Sequence, residues 1–320
     1  MISVAVALYN SLRYIEEQLD SIKNQTIQVD EVVLIDDCST DNTIDFVKRY
    51  INKYSLHGWK LFFHSKNKGY INTFTEAIGK TSGDIIILCD HDDIWLPNKV
   101  ELIKLQFESN AEILSLATRF IQINADGLIV RTKNKPNHAN NNLIRRKVKK
   151  RTLNKMTLKD VAVYNISPGC TCAISCSLRN KLMDIDTRYL PHDWKLNILA
   201  ACQDGLYYLD IPTTKYRIYD NNTIGLGHVN EFNQRKKSVK NNCKEKIEAS
   251  SIIANELGNE NSDFRYYKNV ENVFKLRWLF MRTNQKKYLI GALIKSLGIN
   301  KLYESIIMDY LSSVRRARVE

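Results

Sequence analysis

Residues 3–8 (SVAVAL) form an unbroken apolar run, and residues 14–22 follow with Tyr14, Ile15, Leu19 and Ile22 at helical spacing. The same alternation repeats. Residues 32–35 (VVLI) precede a segment over 43–54 with Ile44, Val47 and Ile51 on one face. Residues 60–63 precede a helical pattern over 71–78, and residues 84–89 (DIIILC) precede a helix that Pro97 opens in its first turn. Apolar strands separated by amphipathic helices predict a parallel sheet covered on both faces. Beyond Leu105 the pattern changes. Residues 113–123 and 128–130 flank Asn124-Ala125-Asp126-Gly127, a hairpin signal. Residues 169–174 read as a strand, 194–203 as a helix and 206–211 as a strand; from Glu231 onward the chain reads as largely helical. No internal repeat is visible.

In open parallel sheets, ligands bind beyond the carboxyl ends of the strands. Reading just past the apolar runs gives Tyr9-Asn10, then Asp36-Asp37-Cys38-Ser39, then Asp90-His91-Asp92-Asp93. Asp37, Ser39 and Asp41 have an ordinary reading as turn residues and helix caps. The Asp90–Asp93 cluster is harder to explain that way. Three carboxylates within four residues repel one another unless a cation neutralises them, and hard oxygens suit Mg²⁺ or Mn²⁺.

Composition narrows the class. The chain has 320 residues, 44% hydrophobic and 26% charged, with only 12 Gly and 5 Pro, the mix of a globular protein. No window approaches the roughly 20 apolar residues of a membrane-spanning helix. The start, MISVAVALYN, lacks a basic region and reads as a strand rather than a signal peptide. Seven cysteines, an odd number, suggest reduced thiols in a cytoplasmic protein. The net charge is +12, but 11 of the 47 basic residues lie between Gly127 and Lys159, where no acidic residue occurs; the remainder is nearly balanced, 36 against 35. The densest part is Arg145, Arg146, Lys147, Lys149, Lys150 and Arg151. A solvated loop explains such a run; so does a surface meeting nucleic acid, lipid headgroups or a pyrophosphate-bearing substrate.

The stretches SVAVALYN, VVLIDDCSTDNT, NKGYINTF and LCDHDDIWLPNKV, in this order, resemble the nucleotide-sugar-binding half of family 2 glycosyltransferases of the GT-A fold. The last is similar to the Asp-x-Asp-Asp-x-Trp-x-Pro-x-Lys pattern of bacterial rhamnosyltransferase-like members. SPGCT, PHDW and YRIYDNNTIG extend the resemblance to Gly225. It implies an α/β fold with a mostly parallel GT-A sheet and flanking helices. The implied division is a glycosyltransferase domain over 1–225, with a nucleotide-sugar half over 1–110 and an acceptor half over 111–225, then a helical extension over 226–320.

By resemblance, Ala7, Leu8, Tyr9 and Asn10 line the nucleotide pocket, and Asp37 accepts the imide N–H of uracil or thymine. Asn67 and Gly69 sit near the ribose and diphosphate, and Asp90 faces the ribose. Asp92 binds Mn²⁺ or Mg²⁺, supported by Asp90 and Asp93. Asp193 is the general base of an inverting transfer of one sugar, rhamnose or a hexose, from a dTDP- or UDP-linked donor. A helix N-cap is its alternative reading, and His192 stands beside it as another base candidate. Arg217 is a candidate diphosphate contact or a surface arginine ending a strand. Where the family often has His, this chain has Tyr219. The implied acceptor is a growing glycan of an O-antigen or capsule, linked to a lipid diphosphate at the cytoplasmic face of the membrane. Peripheral docking on anionic lipid would then use the 145–151 cluster and an amphipathic segment over 286–318, although a helix packed on its own domain is the preferred reading of that segment.

Other functions fit less well. A sugar nucleotidyltransferase needs a Gly-rich phosphate loop that SVAVALYNSLRY lacks, and no P-loop sequence occurs. Localised charge argues against nucleic acid as a partner. Cys170, Cys172 and Cys176 lack paired zinc spacing and read as buried thiols.

Overall fold

All seven residues of β1 (Ile2–Leu8) are buried, as an unbroken apolar run requires of a strand covered on both sides. In the computed structural model the described residues are 1–131, 142–219, 232–283 and 285–296, with 232–241 as backbone alone. After β1 come α1 (Ile15–Lys23), β2 (Glu31–Asp36), α2 (Thr43–Lys53), β3 (Trp59–Phe63), α3 (Tyr70–Lys80) and β4 (Ile85–Cys89). These strands pair in parallel in the order β3-β2-β1-β4, with Leu8 opposite Asp36 and Val6 opposite Cys89. Their carboxyl ends therefore share one sheet edge. Ile15, Leu19 and Ile22 of α1 are fully buried in the core with Val4, Val6 and Leu34. Each such side chain contributes about 1.5–3 kcal/mol relative to exposure.

The second half adds β5 (Ile94–Trp95), α4 (Lys99–Ser109), β6 (Ser115–Ile123), β7 (Leu153–Lys155), α5 (Leu158–Val161), β8 (Cys172–Ser175), α6 (Cys176–Met183), α7 (His192–Cys202) and β9 (Leu206–Arg217). The sheet continues as β4-β8-β6-β9-β5, with β7 also on β9. Here the pairing is mixed: β8 is antiparallel to β4 and β6, while β6 and β9 are parallel. The expected hairpin at 124–127 forms, with the Asn124 N–H donating to the Leu128 carbonyl and Ile123 opposite Ile129.

Three boundaries differ from the sequence reading. Pro97 precedes α4 by two residues, because the Lys99 N–H turns back onto the Leu96 carbonyl. Residues 169–171 form a 3₁₀ turn, with the Thr171 N–H bonded to the Pro168 carbonyl, so the strand starts at Cys172. β9 runs six residues past its expected end at Ile211. The register shifts around Arg119, so that Pro212 sits at an irregularity and pairing resumes at Thr214.

The chain divides into two compact units, Met1–Asp186 with His192–Gly227, and Thr187–Pro191 with His228–Glu320. In the second, α8 (Phe232–Leu257), α9 (Phe264–Thr283) and α10 (Lys286–Ser296) pack in sequence. Glu248 on α8 accepts the backbone N–H groups of Arg188, Tyr189 and Leu190 at 3.1, 2.9 and 2.7 Å. Of the amphipathic segment expected over 286–318, α10 buries Leu289 and Ala292 and exposes Ile290 and Ile294; residues 297–320 lie outside the described residues. Among the described residues, no helix is long and apolar enough to cross a membrane.

Candidate active site

The first unit carries every expected site residue. At the end of β1 the chain turns sharply at Asn10, whose φ of 49° is left-handed, a conformation asparagine tolerates. Its side-chain oxygen accepts the Thr40 N–H at 2.8 Å, and its own N–H donates to Ser39 Oγ at 2.9 Å. Ser39 in turn bonds Asp36, and Asp41 accepts from Thr43. Ser39 thus closes a turn onto Asp36, and Asp41 takes the first N–H of α2, whose N-cap position is Asn42. Tyr9 stands 44% exposed beside them, a free aromatic face at the sheet edge. Ala7 and Leu8 do not share that position. Both are buried, Leu8 belongs to the core, and its carbonyl accepts the Asp37 N–H. Leu8 is thus a packing residue rather than part of an open pocket wall.

Asp37 is buried and held on both oxygens. Oδ1 meets His64 Nδ1 and accepts the Lys68 N–H, both at 2.8 Å, while Oδ2 accepts the Gly69 N–H at 2.8 Å. Burial works against its charge, but the imidazole and the two N–H groups outweigh it, leaving the pKa below the usual carboxylate value. One lone-pair direction of Oδ2 is left for a ligand. Asn67 closes the same loop, donating to the Asp37 carbonyl and accepting from Gly69. Gly69 has φ +83° and ψ 152°, a region essentially reserved for glycine, and empty space where a side chain would begin.

The β4 end behaves oppositely. Asp90 is half-buried, and burial together with the charges of Asp92 and Asp193 pushes its pKa up to about 7. Asp93 is fully buried, its pKa driven well above normal by burial and by Asp92 and Asp90. Its Oδ1 accepts the Arg217 N–H at 2.9 Å, and the buried Cys170 thiol lies beside the carboxylate. Asp90, Asp93 and Cys170 bring one ligand atom each within 4.8 Å of one another. Cys170 is a buried thiol held protonated by burial and these carboxylates. The hard donors here are therefore the carboxylates, and partly exposed oxygens on Asp90 and Asp92, whose negative charges oppose each other, fit Mg²⁺ or Mn²⁺.

Asp193 lies in the first turn of α7, half-buried. Burial raises its pKa to about 6 against hydrogen bonds from the Trp194 N–H, the Asn165 amide and the Gly169 N–H. The Trp194 and Asn165 bonds measure 2.8 and 3.0 Å. Gly169 permits this approach, since a side chain there would begin 3.0 Å from His192 Nε2. His192 itself points elsewhere. It is buried, stacked on Phe74 at 4.1 Å, without a hydrogen-bond partner on either nitrogen, and desolvation lowers its pKa to about 3. A buried imidazole with so low a pKa is a weak proton acceptor.

Arg217 is neither a surface arginine nor an open diphosphate contact. It is 1% exposed, and its guanidinium donates to the Asp92 carbonyl, the Ala125 carbonyl and Glu17 while lying over the Tyr14 ring. It fixes the 90–93 loop from behind. Tyr219, where the family often has His, donates its hydroxyl to Asp92 Oδ2 at 2.8 Å. Residues 220–225 of the YRIYDNNTIG stretch lie outside the described residues.

Sequence reasoning left several supporting residues without a role: His64, Asn165 and Lys99. Lys99 is fully buried, donating to the Cys170 carbonyl at 2.6 Å and Thr214 at 2.9 Å, so it ties α4 to the turn beneath Asp93. It stood within the quoted LPNKV stretch; His64 and Asn165 carried no signal. Among the described residues, none of the seven cysteines forms a disulfide.

Residues 3–171, more than half of the chain, match Glycosyl transferase family 2. An uncharacterized glycosyltransferase of Haemophilus influenzae is 34% identical over 37% of this chain and 36% of its own length. The poly(ribitol-phosphate) beta-N-acetylglucosaminyltransferase TarS of Staphylococcus aureus is 31% identical over 68% of this chain and 33% of its own length. The chain thus matches about a third of the length of these relatives. The crystal structure of TarS 1–349 with UDP-GlcNAc superposes with a TM-score of 0.58 at 21% identity, covering 98% of this chain and 81% of that one. A mannosyltransferase from Pyrobaculum calidifontis with GDP-Man and Mn²⁺ gives 0.54 at 15% identity, covering 98% and 79%. At these identities the structural likeness carries the fold alone.

Proposed function

The chain belongs to glycosyl transferase family 2, and from that premise we propose that it transfers one sugar, with inversion, from a UDP- or dTDP-linked donor to a glycan acceptor. The observation that carries the proposal is the meeting of two kinds of carboxylate at one sheet edge. Asp37 is held ionised by donors, while Asp193 is raised to about 6 and lies within electrostatic reach of Asp90. The nucleotide would rest against Tyr9, Asn10 and the backbone of Ala7. Its base would donate to the remaining Oδ2 lone pair of Asp37, with Asn67 and Gly69 beside the ribose and diphosphate. The UDP-GlcNAc complex of TarS supports a uridine donor, and the rhamnosyltransferase-like motif supports dTDP-rhamnose.

Asp92 with Asp90 would hold Mn²⁺ or Mg²⁺, which when bound supplies positive charge beside a departing diphosphate. Asp193 accepts the proton of the acceptor hydroxyl as that oxygen bonds to the anomeric carbon and the bond to the nucleoside diphosphate breaks. A base with a pKa near 6 suits this task at neutral pH, and such positioned groups contribute roughly 10²–10⁴-fold in rate. Asn165, Trp194 and Gly169 orient the carboxylate. Arg217 and Asp93 act behind the site as positioning residues. The proposed acceptor is a growing bacterial surface glycan, an O-antigen or capsule intermediate on a lipid diphosphate at the cytoplasmic membrane face. Calorimetric titration with UDP, dTDP and GDP, with and without Mn²⁺, tests the donor assignment. Mn²⁺-dependent binding of UDP or dTDP is expected; no binding of any of the three would overturn it.

A further inference from the structure

A pocket of about 150 Å³ opens between α5 and the basic segment, lined in part by the residues on either side of Asn165. That volume is well above the roughly 10–15 Å³ needed to admit one water. Its wall includes Arg145, Arg146, Lys159, Asp160, Tyr164 and Ile166, three cations against one carboxylate. The charges are not equivalent. Arg146 is neutralised by Asp160, Nε to Oδ1 at 3.0 Å, and its NH2 is taken by the Lys155 carbonyl. Arg145 lies flat on the Tyr164 ring, 3.5 Å from its centroid. Stacking orders the guanidinium without consuming its N–H donors, which remain at the edge of the plane. Among the described residues, no carboxylate pairs with Arg145 or Lys159 at ion-pair distance.

The pocket is also tied to the candidate base. Tyr164 and Ile166 flank Asn165, and the Asn165 amide donates to Asp193 Oδ2 at 3.0 Å. Val161, at the end of α5, accepts the Trp194 indole N–H at 2.7 Å. The same short stretch therefore builds both the pocket wall and the support of Asp193. The subsite requires that an acceptor whose hydroxyl reaches Asp193 extend along this stretch to the pocket wall. A pre-ordered guanidinium beside an unpaired ammonium is the donor set that recognises phosphate oxygens.

We infer that this pocket is an acceptor subsite for a phosphate group carried by the acceptor glycan. The inference rests on the reading of Asp193 as the base that faces the acceptor. Lys147, Lys149, Lys150 and Arg151, on the same segment, extend the positive field along a phosphate-bearing chain, an attraction that salt weakens. The phosphate belongs either to a lipid diphosphate anchor or to a phosphodiester within the glycan, and both present the same oxygens to Arg145 and Lys159.

The test compares wild type with Arg145→Gln/Lys159→Gln, measuring binding of three probes in EDTA: a glycerol-phosphate oligomer, undecaprenyl diphosphate in neutral detergent and a neutral dextran oligomer. At least one phosphate probe is expected to bind wild type, with affinity falling tenfold or more in the double variant and the dextran oligomer failing to compete. Binding by the oligomer alone assigns the phosphate to the glycan; binding by the lipid alone assigns it to the anchor. Mn²⁺-dependent UDP binding, equal in both proteins, shows that the variant folds and that the donor site is intact. Phosphate binding unchanged by the double substitution, or absent from wild type, overturns the subsite. Absence of UDP binding in wild type instead overturns the glycosyltransferase site itself, so the two failures are distinct. The single Lys159→Gln variant, which keeps the stacked Arg145, is expected to show an intermediate loss.

Discussion

Asp37 follows β2 and Asp193 lies in the first turn of α7; each holds about three hydrogen-bond donors, yet their pKa values move in opposite directions. For Asp37 one donor is the His64 imidazole, which can carry positive charge and is itself held by Glu76 at 3.0 Å. For Asp193 the donors are all neutral amides, from Trp194, Asn165 and Gly169, and burial outweighs them. Counting hydrogen bonds therefore does not tell which carboxylate stays ionised. The sign is set by whether the partners of the buried carboxylate include one that can carry positive charge, as His64 can for Asp37, or are neutral amides alone, as for Asp193. Asp37 is built to stay ionised, and Asp193 to titrate near neutral pH, which are the properties the proposed nucleotide contact and base require.

The comparison breaks most visibly at Asp92, which stands between Asp90 and Asp93 past the end of β4. Asp92→Ala is expected to abolish transfer and metal-dependent diphosphate binding while leaving the thermal transition cooperative. Full activity, or activity unaffected by excess EDTA, would remove it from the site. Next in size is Asp193→Asn, which keeps the volume but accepts no proton. Here kcat should fall by about 10² or more with donor affinity little changed. Because the raised pKa belongs to a base, wild-type kcat should decline as pH drops through about 6. That limb should vanish in Asp193→Asn, and a limb that persists would assign the proton to another group.

The smallest effect is expected at Asp37. Asp37→Asn leaves one of its donors facing an amide N–H, costing about 1–3 kcal/mol in urea unfolding near neutral pH. The sign follows from the lowered pKa: the contribution of ionised Asp37 is present above about pH 4, the unfolded value, and is lost as pH falls through the depressed folded value. The difference between wild type and Asp37→Asn should shrink in acid. A stability difference independent of pH would mean that shape rather than charge holds the Asn67–Gly69 loop.

The sequence by itself determined the order β1-α1-β2-α2-β3-α3-β4 and the edge where Tyr9, Asp37 and Asp90 emerge. Apolar runs and helical spacing are local, and in a parallel sheet the residue after each strand must fall at the same end. It also marked the motifs that place the chain in its family. What surrounds those motifs was decided only by the tertiary structure. Arg217 reaches Glu17 across 200 positions, and Lys99 reaches Thr214 across 115. No local pattern records whether such a cation is buried or open. Asn165 meets Asp193 from 28 residues away, and His64 meets Asp37 from 27. These long-range partners, with the water they exclude, set each carboxylate's charge, because desolvation and neighbouring charge are properties of the folded space rather than of the residue.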